Sequence, residues 1–164
     1  MYDSLGEYNQ AKELHEKALM ISTKIFGENN VHVATSYNNL ASVYNDRREY
    51  NPAKELYEKA LMISKKTFGE DNAFVATSYN NLASVYNSLG EYNQAKELHE
   101  KALVICKKIF GEDHASVATS YINLAWVSVQ QAGRIQSSQR TSQQGIEDLR
   151  EDFSLKRFVR GKSS

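Results

Sequence analysis

The sequence predicts an all-α protein, an antiparallel helix-pair solenoid of about three repeats with incomplete ends. The first observation is a stretch that recurs almost unchanged: LGEYNQAKELHEKAL at 5–19 and 89–103, with RREYNPAKELYEKAL at 47–61. The second is YNNLASVYN at 37–45 and 79–87, followed by YINLAWVSV at 121–129. Both return after 42 residues, and self-similarity at such a period is typical of stacked helical repeats. The third is that the chain has one proline, so long helices can run unbroken.

The first helix of each repeat is predicted by apolar residues spaced three and four apart. In the central copy these are Val75, Tyr79, Leu82, Ala83, Val85 and Tyr86. This spacing forms one apolar face of a helix. Asp71 or Asn72 precedes the helix and can cap it, because a short polar side chain accepts from the free backbone N–H groups.

The second helix of each repeat is predicted by a similar stripe: Tyr92, Ala95, Leu98, Ala102, Leu103 and Ile105. Gly111 ends it, since a residue that tolerates positive φ is favoured there. Pro52 lies in the opening turn of the equivalent helix, where its missing N–H is tolerated. Alanines recur at fixed positions of both helices, which lets helix axes approach to about 8–10 Å.

Composition excludes several classes of function. Lys plus Arg and Asp plus Glu number 20 each, so no net charge favours nucleic acid or a membrane surface. No apolar stretch approaches the length of a membrane helix, and the N-terminus lacks the features of a secretory signal. The single cysteine, Cys106, cannot form an internal disulfide, which fits a reducing, cytoplasmic location.

The repeat resembles the tetratricopeptide family. Tyr79, Leu82, Ala83, Tyr86, Gly90, Tyr92, Ala95 and Ala102 fit its pattern of aromatic, Leu, small residue, Tyr, Gly, Tyr, Ala and Ala. The longer unit looks like the repeats of kinesin light chain and nephrocystin-3-like proteins. The resemblance implies a tetratricopeptide superhelix over about 1–131 whose first helices line a concave groove, and a role as a protein-interaction scaffold or adaptor that binds a peptide of a partner.

The groove residues expected from this arrangement are uncharged, and all but Trp126 are short amides or hydroxyls. They are Thr35, Asn38, Asn39, Ser42, Asn45, Thr77, Asn80, Asn81, Ser84, Asn87, Asn123 and Trp126. One hypothesis is an asparagine ladder of Asn39, Asn81 and Asn123 that holds an extended peptide by its backbone, because asparagine both donates and accepts. The alternative is that these amides bond to neighbouring helices and water and keep the repeat geometry.

The third copy departs from the repeat, and the pattern ends after Gln131. Ile122, Trp126 and Val129 replace polar residues and form an apolar stripe that calls for a cover. Residues 132–145 are interpreted as a Ser/Gln-rich linker. Residues 146–164 form a tail in which Ile146, Leu149 and Phe153 predict a short helix that folds back as a cap, with disorder or a partner helix as alternatives.

Neither catalysis nor a cofactor is expected. The four histidines stand apart in the repeat, and His99 holds the position of Tyr57, which favours aromatic packing. No nucleotide-binding, hydrolase or metalloprotease motif and no paired cysteines occur, so no metal site is expected. Three interpretations of function follow: a peptide-binding module, a self-stacking module that forms a homo-oligomer through open repeat ends, or a fragment of a larger kinesin light chain or nephrocystin-3-like protein.

Overall fold

The computed structural model describes the backbone of residues 2–160 and the side chains of residues 6–148 and 150. Every regular element in this part of the chain is an α-helix: α1 Tyr2–Phe26, α2 Val31–Asp46, α3 Tyr50–Phe68, α4 Ala73–Ser88, α5 Tyr92–Phe110 and α6 Ala115–Arg160. The chain divides into two units, one reaching Val127 and one starting at Ser128. The all-α prediction is confirmed, and α2–α3 and α4–α5 are the two complete helix pairs.

Local signals fix the helix ends where the sequence predicted them. The side-chain oxygens of Asn30 and Asn72 accept from the backbone N–H groups of His32 and Phe74, both at 2.9 Å. Each satisfies one of the free N–H groups at the start of α2 or α4. At the other end, Gly69 has a φ of 77° and donates its N–H to the carbonyl of Lys65, in a conformation that side chains with a Cβ avoid.

The turn between α2 and α3 carries a strained residue. Arg48 has a φ of 61°, whereas Gly90, one repeat later, has a φ of 77°. A left-handed conformation costs a residue with a Cβ roughly 1–2 kcal/mol, while glycine in its place costs about 0.4–1 kcal/mol through the freedom of the unfolded chain. The backbone conformation of Arg48 therefore lowers the stability of this turn, whereas Gly90 at the equivalent position adopts the same conformation without strain.

We expect Arg48→Gly to raise the free energy of unfolding by about 0.5–1 kcal/mol, as the difference between these two effects. Urea unfolding followed by circular dichroism measures the change. Gly90→Arg is the matched reverse variant and should lower the stability by a similar amount. Equal stability of Arg48→Gly and the parent chain would contradict the strain at this turn.

The core forms as a series of layers between successive helices. The layer of α2, α3 and α4 contains Ala41, Ala53, Tyr57, Leu82 and Val85. The next layer joins α4, α5 and the start of α6 through Val75, Ala76, Tyr79, Ala102, Ile105, Cys106 and Val117. These alanines are at most 2% exposed, and their methyl side chains let two helix backbones approach closely.

Repeat positions that are buried in the middle of the array are exposed in α1 and α6. Ala18 and Ala125 are exposed, although Ala60 and Ala83 at the same repeat positions have no accessible surface. Tyr121 is 49% exposed, against 3% for Tyr79. Tyr121 keeps a contact with the preceding helix, since Lys107 Nζ lies 5.2 Å from its ring centroid. In the unit ending at Val127, however, no described helix takes the place that α5 has beside α4, so equal repeat position does not produce equal burial.

Residues 132–145 are helical, whereas the sequence suggested a flexible connector. The segment contains no proline, and serine, glutamine and arginine each cost at most about 0.7 kcal/mol relative to alanine in a helix. Its role as a linker stays a prediction. So does the capping role of 146–164: Ile146 is 48% exposed, and the side chains of Leu149 and Phe153 lie outside the described residues.

Candidate binding site

The predicted groove residues are all exposed or half-buried on α2, α4 and early α6; we call this surface the amide face. On α4, Asn80, Ser84 and Asn87 follow each other at spacings of four and three, so they share one side of the helix. Leu82, Ala83 and Val85 between them are buried. The amide face of α2 repeats the same residues 42 positions earlier.

The structure brings half of the predicted residues together in one pocket. It has a volume of about 300 Å³ and is lined by Asn80, Asn81, Ser84, Asn87, His99, Asn123, Trp126 and Val127. Helices α4 and α6 supply the walls, and His99 of α5 lies between them. Thr35, Asn38, Asn39, Ser42, Asn45 and Thr77 do not line this pocket.

The two threonines of the amide face use their hydroxyl hydrogens within their own helices. Thr35 Oγ1 donates to the carbonyl of Val31 at 3.1 Å, and Thr77 Oγ1 donates to that of Ala73 at 3.0 Å. Each hydroxyl therefore offers a ligand an acceptor but no free donor. Among the predicted residues, the threonines have the weakest claim to a binding role.

Several asparagines of the amide face have buried acceptors without donors. The Oδ1 atoms of Asn38, Asn45 and Asn87 are buried and receive no hydrogen bond. Asn45 and Asn87 hold the same repeat position, so the feature returns with the repeat. An unsatisfied buried polar atom costs about 1–3 kcal/mol. Because these oxygens have almost no accessible surface, a ligand donor recovers part of that energy only when the carboxamide turns its oxygen toward the ligand.

The sequence interpretation missed two residues of the pocket, Val127 and His99, and the polar one is His99. It is 5% exposed, as aromatic packing predicts, but its Nδ1 also lies 2.8 Å from Asn80 Oδ1. Because a carboxamide oxygen only accepts, the imidazole donates through Nδ1–H and keeps an acceptor at Nε2. Burial lowers the pKa of His99. The signal in the sequence was the change from Tyr57 to histidine, but only the fold brings position 99 opposite Asn80.

The charged residues form contacts with one another and with tyrosine rings, and none of them lines the pocket. Tyr79 donates to Glu70 at 2.7 Å and accepts from Lys65 at 3.1 Å, while Lys65 and Glu70 pair at 2.9 Å. The Lys65 ammonium, followed by the Tyr79 hydroxyl, holds the pKa of the Glu70 carboxyl below its usual range. These groups join α3, α4 and the turn between them, so their role is structural.

Other chemistry is sparse in the part of the chain that the structure describes. Cys106 is a free thiol, 4% exposed, within the layer of α4, α5 and α6. Among the described residues, no three or more His, Cys, Asp or Glu side chains are grouped so that they could hold a metal ion. The same residues include no helix of the length and apolar character needed to cross a bilayer.

The fold and the amide face define a repeat protein of antiparallel helix pairs with a 42-residue period. The chain belongs to the tetratricopeptide repeat family, whose model matches residues 1–66 and 74–151. No curated protein matches the chain.

Solved structures of similar repeat proteins match most of this chain. BtubC (BKLC) from P. vanneervenii is 34% identical with a TM-score of 0.71, over 85% of this chain and 55% of its own. A Podosopora anserina protein with nearly identical TPR-like repeats, provisionally classed as a kinesin light chain, is 27% identical with a TM-score of 0.71, over 83% and 64%. RapI in its apo form is 26% identical with a TM-score of 0.66, over 80% and 46%. The chain thus spans roughly half to two-thirds of these proteins.

Proposed function

We propose that the chain is a non-catalytic protein-interaction module, a scaffold or adaptor that binds an extended peptide segment of a partner along the amide face. The observation that carries the proposal is the pocket between α4 and α6, where six of the predicted residues meet. Membership of the tetratricopeptide family supports a role in protein–protein interaction. The single buried thiol supports a reducing, cytoplasmic location.

Asparagines suit this task because an extended peptide presents alternating N–H and C=O groups. A carboxamide supplies two donors and one acceptor, so one asparagine per repeat can pair with either group. The Oδ1 atoms of Asn45 and Asn87 are buried without a donor, and a backbone N–H could serve them once the carboxamides turn toward the peptide. The absence of charge among the residues lining the pocket favours recognition of the backbone over recognition of a terminal carboxylate.

We expect Asn81→Ala to weaken peptide binding about tenfold, because two hydrogen bonds worth about 0.5–1.5 kcal/mol each would be lost. The measurement is the affinity for decapeptides selected from a random display library against the parent chain. Asn51→Ala, which removes an exposed amide from the first turn of α3, is the control and should bind as the parent does.

The melting temperature separates this proposal from its alternative. Binding that is lost at an unchanged melting temperature supports a recognition role for Asn81. A lower melting temperature with binding retained at 10 °C would show that the amide supports the repeat geometry, and the asparagine ladder would be wrong. A library that yields no binding peptide would contradict the proposed function as a whole.

A second candidate function is self-association through the exposed face of α6. Ile122 is 68% exposed and Tyr121 49% exposed, and Ala125 is also exposed. The equivalent Tyr79 and Ala83 are buried by a second helix. Light scattering at increasing concentration tests this candidate: a growing species that Tyr121→Glu abolishes supports stacking, and a monomer at every concentration contradicts it.

A further inference from the structure

The pocket between α4 and α6 is not a copy of the position before it in the array. Six lining residues, Asn80, Asn81, Ser84, Asn87, Asn123 and Val127, have counterparts of the same type 42 residues earlier, at positions 38, 39, 42, 45, 81 and 85. Two residues break the repeat: His99 stands where the preceding repeat has Tyr57, and Trp126 where it has Ser84. The pocket therefore shares most of its lining residues with the preceding repeat but differs from it at an imidazole and an indole side chain.

Three features of the lining restrict the ligand. No lining residue is Lys, Arg, Asp or Glu, so a carboxylate would enter without a cationic partner. The Asn87 carboxamide oxygen is buried without a donor, and an aliphatic side chain would leave it so. Trp126 is 59% exposed, and a ring face of this kind attracts cations.

A guanidinium group fits this lining better than a carboxylate or an aliphatic side chain does. It too lacks an ion partner, but no lysine or arginine opposes its charge, and it can serve both the Asn87 oxygen and the Trp126 ring. It carries five N–H donors and no acceptor, and its flat surface stacks on aromatic rings. A volume of about 300 Å³ is at the small end for ligand pockets and suits one side chain better than a whole cofactor. The chain already uses contacts of this type, since Lys54 Nζ lies 4.4 Å from the centroid of the Tyr86 ring.

We propose that this pocket binds an arginine side chain of the partner peptide, stacked on Trp126 and hydrogen-bonded to the carboxamide oxygens around it. The inference rests on the proposed function, because it names one side chain of the peptide that the amide face holds. Lysine, whose ammonium is compact and strongly hydrated, binds the same pocket more weakly.

His99 makes this recognition sensitive to pH. Burial lowers the pKa of the His99 imidazole. The pocket residues from α4 and α6 have no titratable group that would act on it. On α5, the neighbouring charges of Lys96 and Glu100 pair with each other at 3.9 Å. The imidazole is therefore neutral at pH 7.5. Once acid protonates it, its charge opposes a guanidinium, so arginine binding weakens as the pH falls.

The test uses capped single amino acids and the indole N–H resonance of Trp126, the one tryptophan of the chain. At pH 7.5, N-acetyl-arginine methylamide should shift this resonance in a saturable way, and the glutamate analogue should not. As the pH is lowered until His99 takes up a proton, the arginine affinity of the parent chain should fall. His99→Tyr, which copies Tyr57, should show no such dependence on pH.

Two variants on α6 separate the pocket from its surroundings. Trp126→Ser copies Ser84 and should remove arginine binding, measured by saturation transfer to the ligand. Ile122 is on the same helix as Trp126 but does not line the pocket. The variant Ile122→Asn, which introduces the residue found at the equivalent position 80 of α4, should therefore bind arginine as the parent chain does. Equal shifts with arginine and glutamate, or undiminished arginine binding by Trp126→Ser, would overturn the inference.

The failure of this inference differs from the failure of the proposed function. Selected peptides that depend on Asn81 but contain no arginine, and bind equally well to Trp126→Ser, would leave the peptide-binding function in place and remove the arginine pocket. If no peptide binds at all, the proposed function fails, whatever the single amino acid does. Arginine-containing peptides that lose about tenfold in affinity on Trp126→Ser support both.

Discussion

Replacing Tyr79 with alanine is expected to lower the free energy of unfolding by about 3–5 kcal/mol, the usual cost of removing a large buried aromatic side chain. Tyr79 is 3% exposed and packs in one layer with Val75, Ala102 and Ile105. Its hydroxyl also connects Lys65 and Glu70. The variant leaves a cavity between α4 and α5 and removes two hydrogen bonds.

The repeat supplies a matched control for this variant, because Tyr121 holds the same position one unit later and is 49% exposed. Tyr121→Ala should cost less than about 1 kcal/mol, since most surface substitutions have small effects. Urea unfolding gives the free energies, and amide exchange shows whether the loss falls on α4 and α5. Equal costs for both variants would mean that position within the repeat, not burial, sets the contribution of the tyrosine.

Replacing Ala41 with leucine is expected to destabilise the chain by about 1–3 kcal/mol, the usual cost of forcing extra methylene groups into a packed core. Ala41 has no accessible surface and packs in one layer with Ala53 and Tyr57. Since α2 and α3 approach closely at this point, a longer side chain has to push the helices apart.

The matched control is Ala125→Leu, which makes the same change at the same repeat position on an exposed surface. Its effect on the melting temperature should be small, because leucine and alanine are both good helix formers. A fall in the melting temperature with Ala41→Leu but not with Ala125→Leu supports close packing of the helix pair. A stable Ala41→Leu variant would show that the layer can expand, contrary to the complete burial of its alanines.

Much of the helical framework could be predicted from the sequence because its signals are local. Asn72 caps α4 and Gly111 ends α5 where the pattern placed them, and Pro52 lies in the first turn of α3. On α5, residues four positions apart form the ion pairs Lys96–Glu100 and Glu97–Lys101, at 3.9 and 2.6 Å. Each of these features involves residues only a few positions apart, so the local sequence is enough to predict it.

The candidate site was only partly predictable because its pocket combines three helices. The sequence indicated a row of amides with Trp126, and the pocket contains six of the twelve predicted residues. The sequence did not indicate His99, whose role depends on how α5 packs against α4. Nor did it show that Thr35 and Thr77 donate their hydroxyl hydrogens within their own helices.

The sequence by itself determined the period of the array, the limits of its central helices and the row of uncharged groups on their outer side. These follow from spacings of three and four residues and from caps, which act within one turn. The tertiary structure alone decided which copies are buried, as the contrast of Tyr79 with Tyr121 shows, and which amides meet around His99. Burial and pocket shape depend on the neighbouring helix pair, and two identical stretches of sequence can have different neighbours.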